Sequence, residues 1–527
     1  MSALTVPFLM PRVEEVVPDF AMLKDRLTGS SVVEERYTAT QVPSSGDTYT
    51  VGGSGSRLMI IRVANQNDYI DTSTMVLNFY AKANQTNSTL ALDDHILSMV
   101  DTINVKVGGQ TVEVLNNVGH LVNALVQGSM PTNYYQRNGH FEGLYIYDKS
   151  TSGPSQTAVG TSTTFTPQNN AAVTGPLLLN SRWCVGNAWL SNGRYYSVPL
   201  TLLGLCRIPT LFAARNFQDV TLEFLFRSQV AGCTWVQNPS TAISANTATT
   251  TIAISDVTLT YDCCRMSADY YALMDNELKM PNGSGVAYAI DTYQVQPASI
   301  AAPATAAGTG AGSNGALTRI VVAKGTRFLK GVYGVSKPTV SETAYNFRNN
   351  SQNGNFAFNS YQVVINSKRY PQLQIQSSAA AFQELQKAYN QLGSVAGGAQ
   401  INWFNYVGQS IARAAGTGNT QLQDAVASGT KDGTLLGANP ADEAMFQNGV
   451  NLEQFLTNQP DAGGINTSTS GYQIAIEIQN SGQLAAGAIT TPPTVDNTMA
   501  AAALTHYVIL HFTRVLTLKA GAVEVLD

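Results

Sequence analysis

Charge is what this sequence has least of. Asp, Glu, Lys and Arg make up 12 % of its 527 residues, against about 25 % in an average soluble domain. The 35 acidic and 30 basic residues leave a net charge of -5, and no Lys/Arg-rich tail stands at either end. This balance excludes the broad positive field on which non-specific nucleic-acid binding depends, so no strong direct nucleic-acid binding is expected. Cysteine is scarce as well. Cys184, Cys206, Cys233, Cys263 and Cys264 show no CxxC spacing, and an odd number leaves at least one unpaired, so buried free thiols are expected. Long apolar runs are missing: none approaches the roughly 18 residues of a membrane helix, and no transmembrane segment is expected. The first residues, "MSALTVPFLMPRVEEVVPDF", are interrupted by Pro7 and Pro11 and followed by Glu14 and Glu15, which does not read as a signal peptide. Assembly inside a cell is the expectation, and sequons such as Asn87-Ser88-Thr89 then carry little weight.

Histidine is also sparse, with only His95, His120, His140, His506 and His511. His506 and His511 are five apart, so on a regular strand they face opposite sides of a sheet and do not share an ion. "LDDHI" (92–96) reads as a solvated turn before a strand rather than an acid/base cluster. "GSGSR" (53–57) and "GTGAG" (308–312) lack the strand, Lys-Ser/Thr and helix of a phosphate loop. No GxSxG elbow or HExxH is present. No catalytic, cofactor-binding or metal-ligating residue is therefore assigned, no cofactor is expected, and the chain does not read as an enzyme.

What is abundant is neutral polarity and alternation. Apolar residues reach 44 %, enough for a large core, while the polar surface is drawn from Thr, Ser, Asn, Gln and 44 Gly. Neutral amides and hydroxyls are cheaper to bury against a partner than charges. Strand-like runs recur at 57–64, 74–81, 101–107, 110–115, 194–203, 219–226 and 248–263, then at 285–295, 317–323, 328–336, 360–365, 471–479, 506–518 and 522–526. Each half thus holds roughly the number of strands of an eight-stranded double-sheet roll. Low-charge insertions fall at 150–176, 297–316 and 482–503, and 393–464 has helix-like apolar spacing. "DYYALMDNELKM" reads as a short helix, with "PNGSG" (281–285) as the connector between halves.

One local plan is written twice. "DTINVKVGGQTVEVL" (101–115) alternates, turns at Gly108-Gly109 and alternates back before "NNVGHLVNALVQG", whose Val118, Leu121, Val122 and Leu125 share a helical face behind an Asn cap. "NSYQVVINSKRYPQLQI" (359–375) alternates, turns through "NSKRYP", returns with Leu373 and Ile375, and leads into "SSAAAFQELQKAYNQLG" with Phe382, Leu385, Tyr389 and Leu392 on one face. Ile103 and Tyr361 are 258 residues apart, close to half the chain. Two similar β-domains in tandem explain this most simply.

"VDTINVKVGGQTVEVLNN" resembles a segment of the first roll of double jelly-roll major capsid proteins of DNA viruses. "HYVILHFTRVLTLKAGAVEVL" is similar to that family's closing strands, and "YQVVINSKRYP" resembles a strand and turn of the second roll in its Polinton-like virus, virophage and adenovirus-related branch, part of a lineage that includes large DNA viruses. The resemblance implies an all-β chain of two tandem eight-stranded jelly rolls with short helices and long loops: an N-terminal arm (1–44), a first roll (45–280) and a second (281–527) with a partly helical insertion near 393–464. It further implies a virion protein that pairs with itself as a homotrimeric, pseudo-hexagonal capsomer in an icosahedral shell, beside penton and minor capsid or cement proteins, with no catalytic residues to carry over. "PDFAMLKDRL" in the arm is a candidate inward tether. The alternative is a virion or surface β-sandwich protein, such as a minor capsid, fibre or carbohydrate-binding module. Trp183, Trp189, Trp235 and Trp403 would suit sugar stacking there, although core filling is their commoner fate.

Overall fold

A computed structural model describes residues 33–63, 67–84, 90–92, 95–127, 141–142, 193–217, 219–236, 250–279, 286–300, 317–338, 358–389, 401, 406, 446–453, 464–468, 472–480, 504–519 and 522–526. The insertions at 150–176, 301–316 and 482–503, the tether candidate, most of 393–464, His140, Cys184, Trp183, Trp189, Trp403 and the side chain of Trp235 lie outside them.

The first half contributes β1 (Val33–Gln41), β2 (Tyr49–Val51), β3 (Leu58–Val63), β4 (Tyr69–Ala83), β5 (Leu90–Leu92), β6 (Val100–Val107), β7 (Gln110–Asn116), β8 (Arg194–Pro199), β9 (Val220–Phe226), β10 (Thr234–Val236) and β11 (Ile252–Met266). The second contributes β12 (Val286–Ile300), β13 (Thr318–Val322), β14 (Leu329–Pro338), β15 (Phe358–Ile365), β16 (Lys368–Ile375), β17 (Asn448–Asn451), β18 (Ile474–Asn480), β19 (Leu504–Lys519) and β20 (Ala522–Leu526). The first half forms two antiparallel sheets, β1-β11-β4-β8 and β3-β9-β6-β7, and the second forms β12-β19-β14-β17 and β13-β18-β15-β16. With the short β2, β5, β10 and the terminal β20 set aside, the eight strands of each half stand in the same order, 1-8-3-6 over 2-7-4-5. That order, repeated, is the jelly roll expected from the doubled motif. Among the described residues no strand pairing joins the halves.

Alternation explains the individual strands. In β11, Ile252 and Ile254 point into the core, then Asp256 adopts φ 52 and the register with β4 slips between Ser255 and Thr258. The parity changes there, so Val257, Leu259, Tyr261 and Cys263 are the buried residues that follow. β19 does not alternate: His506, Tyr507, Val508, Ile509, Leu510 and Phe512 are all buried. A strand covered on both faces reads as a continuous apolar run.

The two hairpins use the same two-residue turn with different residues. Gly108 (φ 56) and Gly109 (φ 78) join β6 to β7, and Asn366 (φ 47) and Ser367 (φ 67) join β15 to β16. The six residues expected to turn at "NSKRYP" are thus two, because Asn tolerates the left-handed region, and the strand resumes at Lys368. A Cβ on Gly108 would meet Val523 Cγ2 at 2.8 Å and the Phe217 carbonyl at 3.2 Å, whereas one on Gly109 would meet nothing within 4 Å. Gly109→Ala is expected to cost about 1 kcal/mol for its left-handed backbone, and Gly108→Ala about 1 to 3 kcal/mol more for crowding. Equal shifts in the two urea midpoints would contradict this packing.

Several expectations change. Residues 33–41 of the expected arm are a strand; Glu34, Glu35 and Arg36 hide it because its outer side faces solvent. Residues 297–300 belong to β12 rather than to an insertion. Inside the expected helical stretch, 448–451 form β17, and the buried Phe446, Val450 and Leu452 stand at even spacing. Leu373 does not return to the core with Ile375. Tyr361 pairs with Ile375 and Val363 with Tyr370, so the residues between Tyr370 and Ile375 loop out, leaving Leu373 84 % exposed and Ile375 3 %. Behind the hairpins, Asn117 sits at φ 51 without a side-chain cap bond, and Val118–Leu121 passes into a wider π turn over Val122–Gln127. Ser377 does cap helix Ser378–Ala388, accepting from the Ala380 N–H at 3.1 Å.

Candidate functional site at the seam between the rolls

The described histidines are held by packing and hydrogen bonds. His95 is not in a solvated turn: it is buried, its Nδ1 accepts from the Leu97 N–H at 3.0 Å, and its Nε2 therefore carries the ring proton toward Glu142 Oε2 at 3.2 Å. His506 lies inside the second roll, where burial lowers its pKa to about 4, with Nδ1 2.9 Å from the Ser336 hydroxyl. His511 stacks on Tyr293 with ring centroids 4.7 Å apart, and burial, partly offset by Asp291, lowers its pKa to about 3. Their partners lie in different places, as the odd spacing implied. Among the described residues no group of three His, Cys, Asp or Glu side chains is placed to hold a metal ion. Cys206, Cys233, Cys263 and Cys264 are buried thiols that form no disulfide.

The concentrated polar chemistry is instead structural, at the junction of the rolls. β12 stands at the edge of its sheet, and its open side is sealed by the first roll. The Asn116 amide, at the end of β7, donates to the Val295 carbonyl at 2.7 Å and accepts from the Val295 N–H at 3.1 Å. The Arg207 guanidinium donates to the Asp291 carbonyl at 2.6 Å and the Tyr293 hydroxyl at 2.9 Å. Arg514 of β19 reaches back to the Val112 carbonyl at 2.7 Å. An edge strand that would otherwise offer a row of unpaired backbone groups is thus closed.

Glu113 is at the centre of this seam and fully buried. Its carboxylate accepts from the Gly204 N–H at 3.0 Å and the Thr292 hydroxyl at 2.8 Å. Burial raises its pKa, and those hydrogen bonds with the nearby Arg207 work in the other direction. Asp291 accepts from Lys330 Nζ at 2.6 Å and the Thr513 hydroxyl at 2.6 Å. Burial alone would raise the Asp291 pKa, but His511, Lys330 and those hydrogen bonds hold it below the usual carboxylate range. Farther along, the Tyr288 hydroxyl accepts from the Ala213 N–H at 2.9 Å and donates to the Leu211 carbonyl at 3.1 Å, with its ring 5.1 Å from that of Phe212. His120 of the first roll lies on Tyr507 of the second at 4.0 Å, and Tyr389 donates to the Ala124 carbonyl. Sequence reasoning missed these residues. "TVEVL" presents Glu113 as an outward position of a strand, but a bulge opposite Val105 and Lys106 shifts the parity, so Glu113 shares the side of Val105 and Leu115 while Val114 is exposed.

No family model and no curated relative matches the sequence. Solved structures do. PBCV-1 VP54, from a crystal structure fitted into a reconstruction of the virophage Sputnik, aligns over 94 % of this chain and 98 % of its own, with TM-score 0.55 and 12 % identity. A chain of the Sputnik virophage structure covers 94 % and 89 % with TM-score 0.54 and 10 % identity. The Faustovirus major capsid protein covers 94 % and 92 % with TM-score 0.50 and 8 % identity. The chain has the double jelly-roll fold. At such identities the likeness is one of architecture.

The double jelly roll is covered unequally. In the second roll, the sheet β12-β19-β14-β17 is closed by the first roll and, over β17 and β14, by helix Ser378–Ala388, whose last carbonyl accepts from the Tyr333 hydroxyl at 2.9 Å. In the first roll, the outer face of β1-β11-β4-β8 shows the rows Thr40–Thr260–Val76–Pro199, Thr258–Asn78–Ser197 and Ser255–Tyr80–Tyr195. These residues are half-buried or exposed, and none is charged. Among the described residues no helix is long and apolar enough to cross a membrane.

Proposed function

We propose that this chain is a major capsid protein, a non-enzymatic virion component whose copies associate in threes and tile an icosahedral shell of a DNA virus. The observation that carries the reading is the identical strand order of two rolls locked at one seam, in a chain that shares its architecture with the Faustovirus major capsid protein. Three copies of a two-roll subunit place six similar units around one axis, so a single gene product fills a hexagonal lattice. The neutral rows on that face of the first roll suit contacts between copies, since Thr, Ser and Asn are covered without stranding charges. Residues up to 280 are assigned to the first roll, which here gains β1, and those from 281 to the second; the segment before β1 is the inward tether. Penton and minor capsid or cement proteins are the further partners.

A second reading has one observation in its favour: Tyr80 and Tyr195 form a pair with ring centroids 5.0 Å apart, Tyr195 being 64 % exposed and donating to Asp256 at 3.0 Å. Such a platform suits a glycan. Electron microscopy and light scattering of the purified protein separate the two. Compact three-fold particles of three times the chain mass are expected; a small oligomer that binds glycans, a fibre, or a monomer at every concentration would overturn the shell reading.

A further inference from the structure

The seam inside one chain has a counterpart that the chain itself does not close. β12 and β1 are the first strands of their rolls, and each stands at the edge of its sheet. β12 is buried along most of its length under β7, the fifth strand of the other roll. β1 is not: Glu34, Glu35, Arg36, Thr38 and Thr40 are exposed. The second roll likewise has a fifth strand, β16, at the edge of its own sheet, with Lys368, Arg369 and Leu373 exposed.

The internal seam supplies the alignment. β7 runs in the same direction as β12, since Val112 meets Arg514, whose strand partner is Ile290, and Asn116 meets Val295. The fifth strand therefore begins near the start of the first and ends on Val295, before the longer β12 ends at Ile300. Laid on β1 in the same way, Lys368 and Arg369 fall over Glu34 and Glu35, and the looped-out residues around Leu373 fall toward the end of β1, where Val42 follows Gln41. Two independent properties agree with this placement. Leu373 at 84 % and Val42 at 66 % are the two most exposed large apolar side chains among the described residues. The charges are complementary as well: Glu34, Glu35, Asp68, Asp71 and Asp262 outnumber Arg36 and Arg265 around the start of β1, while the β16 turn offers Lys368 and Arg369.

We propose that β16 of one copy covers the β1 edge of the next copy as β7 covers β12 within a chain, with Leu373 packed on Val42 and Lys368 and Arg369 facing Glu34 and Glu35. The contact is heterologous, and because it repeats the internal seam it turns each roll on the next by a like angle; alternating rolls form a ring where that angle divides a full turn. The inference rests on the self-assembly reading above and names the surfaces that reading leaves unspecified.

The test is light scattering over a concentration series. Leu373→Asp and Val42→Asp are each expected to weaken self-association by about tenfold or more, with near-UV circular dichroism unchanged. The double reversal Lys368→Glu/Arg369→Glu is expected to weaken it in a salt-dependent manner, and adding Glu34→Lys/Glu35→Lys to the same chain is expected to restore it. Restoration by the swap supports the contact even where an apolar variant fails to fold. Wild type that assembles together with variants that assemble equally well, or a reversal that the swap does not rescue, would overturn this interface and leave the shell reading standing. A wild type that never assembles would overturn both.

Discussion

Gly204→Ala is expected to destabilise the chain far more than Gly109→Ala. A Cβ on Gly204 would stand 2.1 Å from the Asp291 carbonyl oxygen, 2.9 Å from its carbon and 2.7 Å from Ile290 Cγ2. Two of these obstacles are backbone, in a strand held by β19 along its whole length, so no side-chain rotation relieves them. The loop must retreat, and the retreat draws the Gly204 N–H away from Glu113 and Arg207 away from the Asp291 carbonyl. Crowding of this kind costs about 3 kcal/mol or more, and a buried carboxylate deprived of one donor adds about 1 to 3 kcal/mol. The expected result in urea unfolding is a midpoint shift several times that of Gly109→Ala. A shift no larger than that of Gly109→Ala would mean that the rolls are not locked through this loop.

Acid is expected to unfold the protein through two buried histidines. His506 and His511 have native pKa values lowered by burial from 6.5 to about 4 and about 3. Below pH 6.5 the unfolded chain takes up protons that the native state refuses, so stability is full above that pH and declines as pH falls toward the native values. Each histidine costs about 1.4 kcal/mol per pH unit in that window. At about pH 4.5 the two together remove roughly 5 kcal/mol, a large part of an ordinary folding free energy. Glu113 acts with the opposite sign: its raised pKa means that the native state binds a proton earlier than the unfolded chain, so acid relieves part of its burial cost. Denaturant unfolding between pH 7 and about pH 4.5 should therefore fall steeply for the wild type, and His511→Phe and His506→Gln should each flatten the slope by about one proton's worth. Unchanged slopes in both variants would show that the acid response arises elsewhere.

Much of the architecture was legible because strands and turns are local. Val105 and Val107 before two glycines, and Val363 and Ile365 before Asn366, mark hairpins without any knowledge of what lies behind them. The doubling of hairpin and helix pointed to two rolls, and the scarcity of charge pointed to surfaces meant to be covered. The errors have local causes as well. β1 was hidden by Glu34, Glu35 and Arg36, residues that suit an edge. β17 was hidden because Phe446 and Val450, four apart, also fit a helical stripe, and only the edge of β14 selects the extended form.

By itself, the order of residues determined that this is a β-chain built twice, because alternation with period two and turns at Gly108-Gly109 and Asn366-Ser367 depend only on neighbours. Tertiary structure alone decided which polar side chains are buried: Glu113, Asn116 and Arg207 look solvent-facing in sequence and lie at the seam, Glu113 turned inward by a bulge, while Leu373 looks like core and is exposed. The physical reason is that alternation separates the two faces of a sheet, but what covers the second face comes from elements distant in the chain or from another copy.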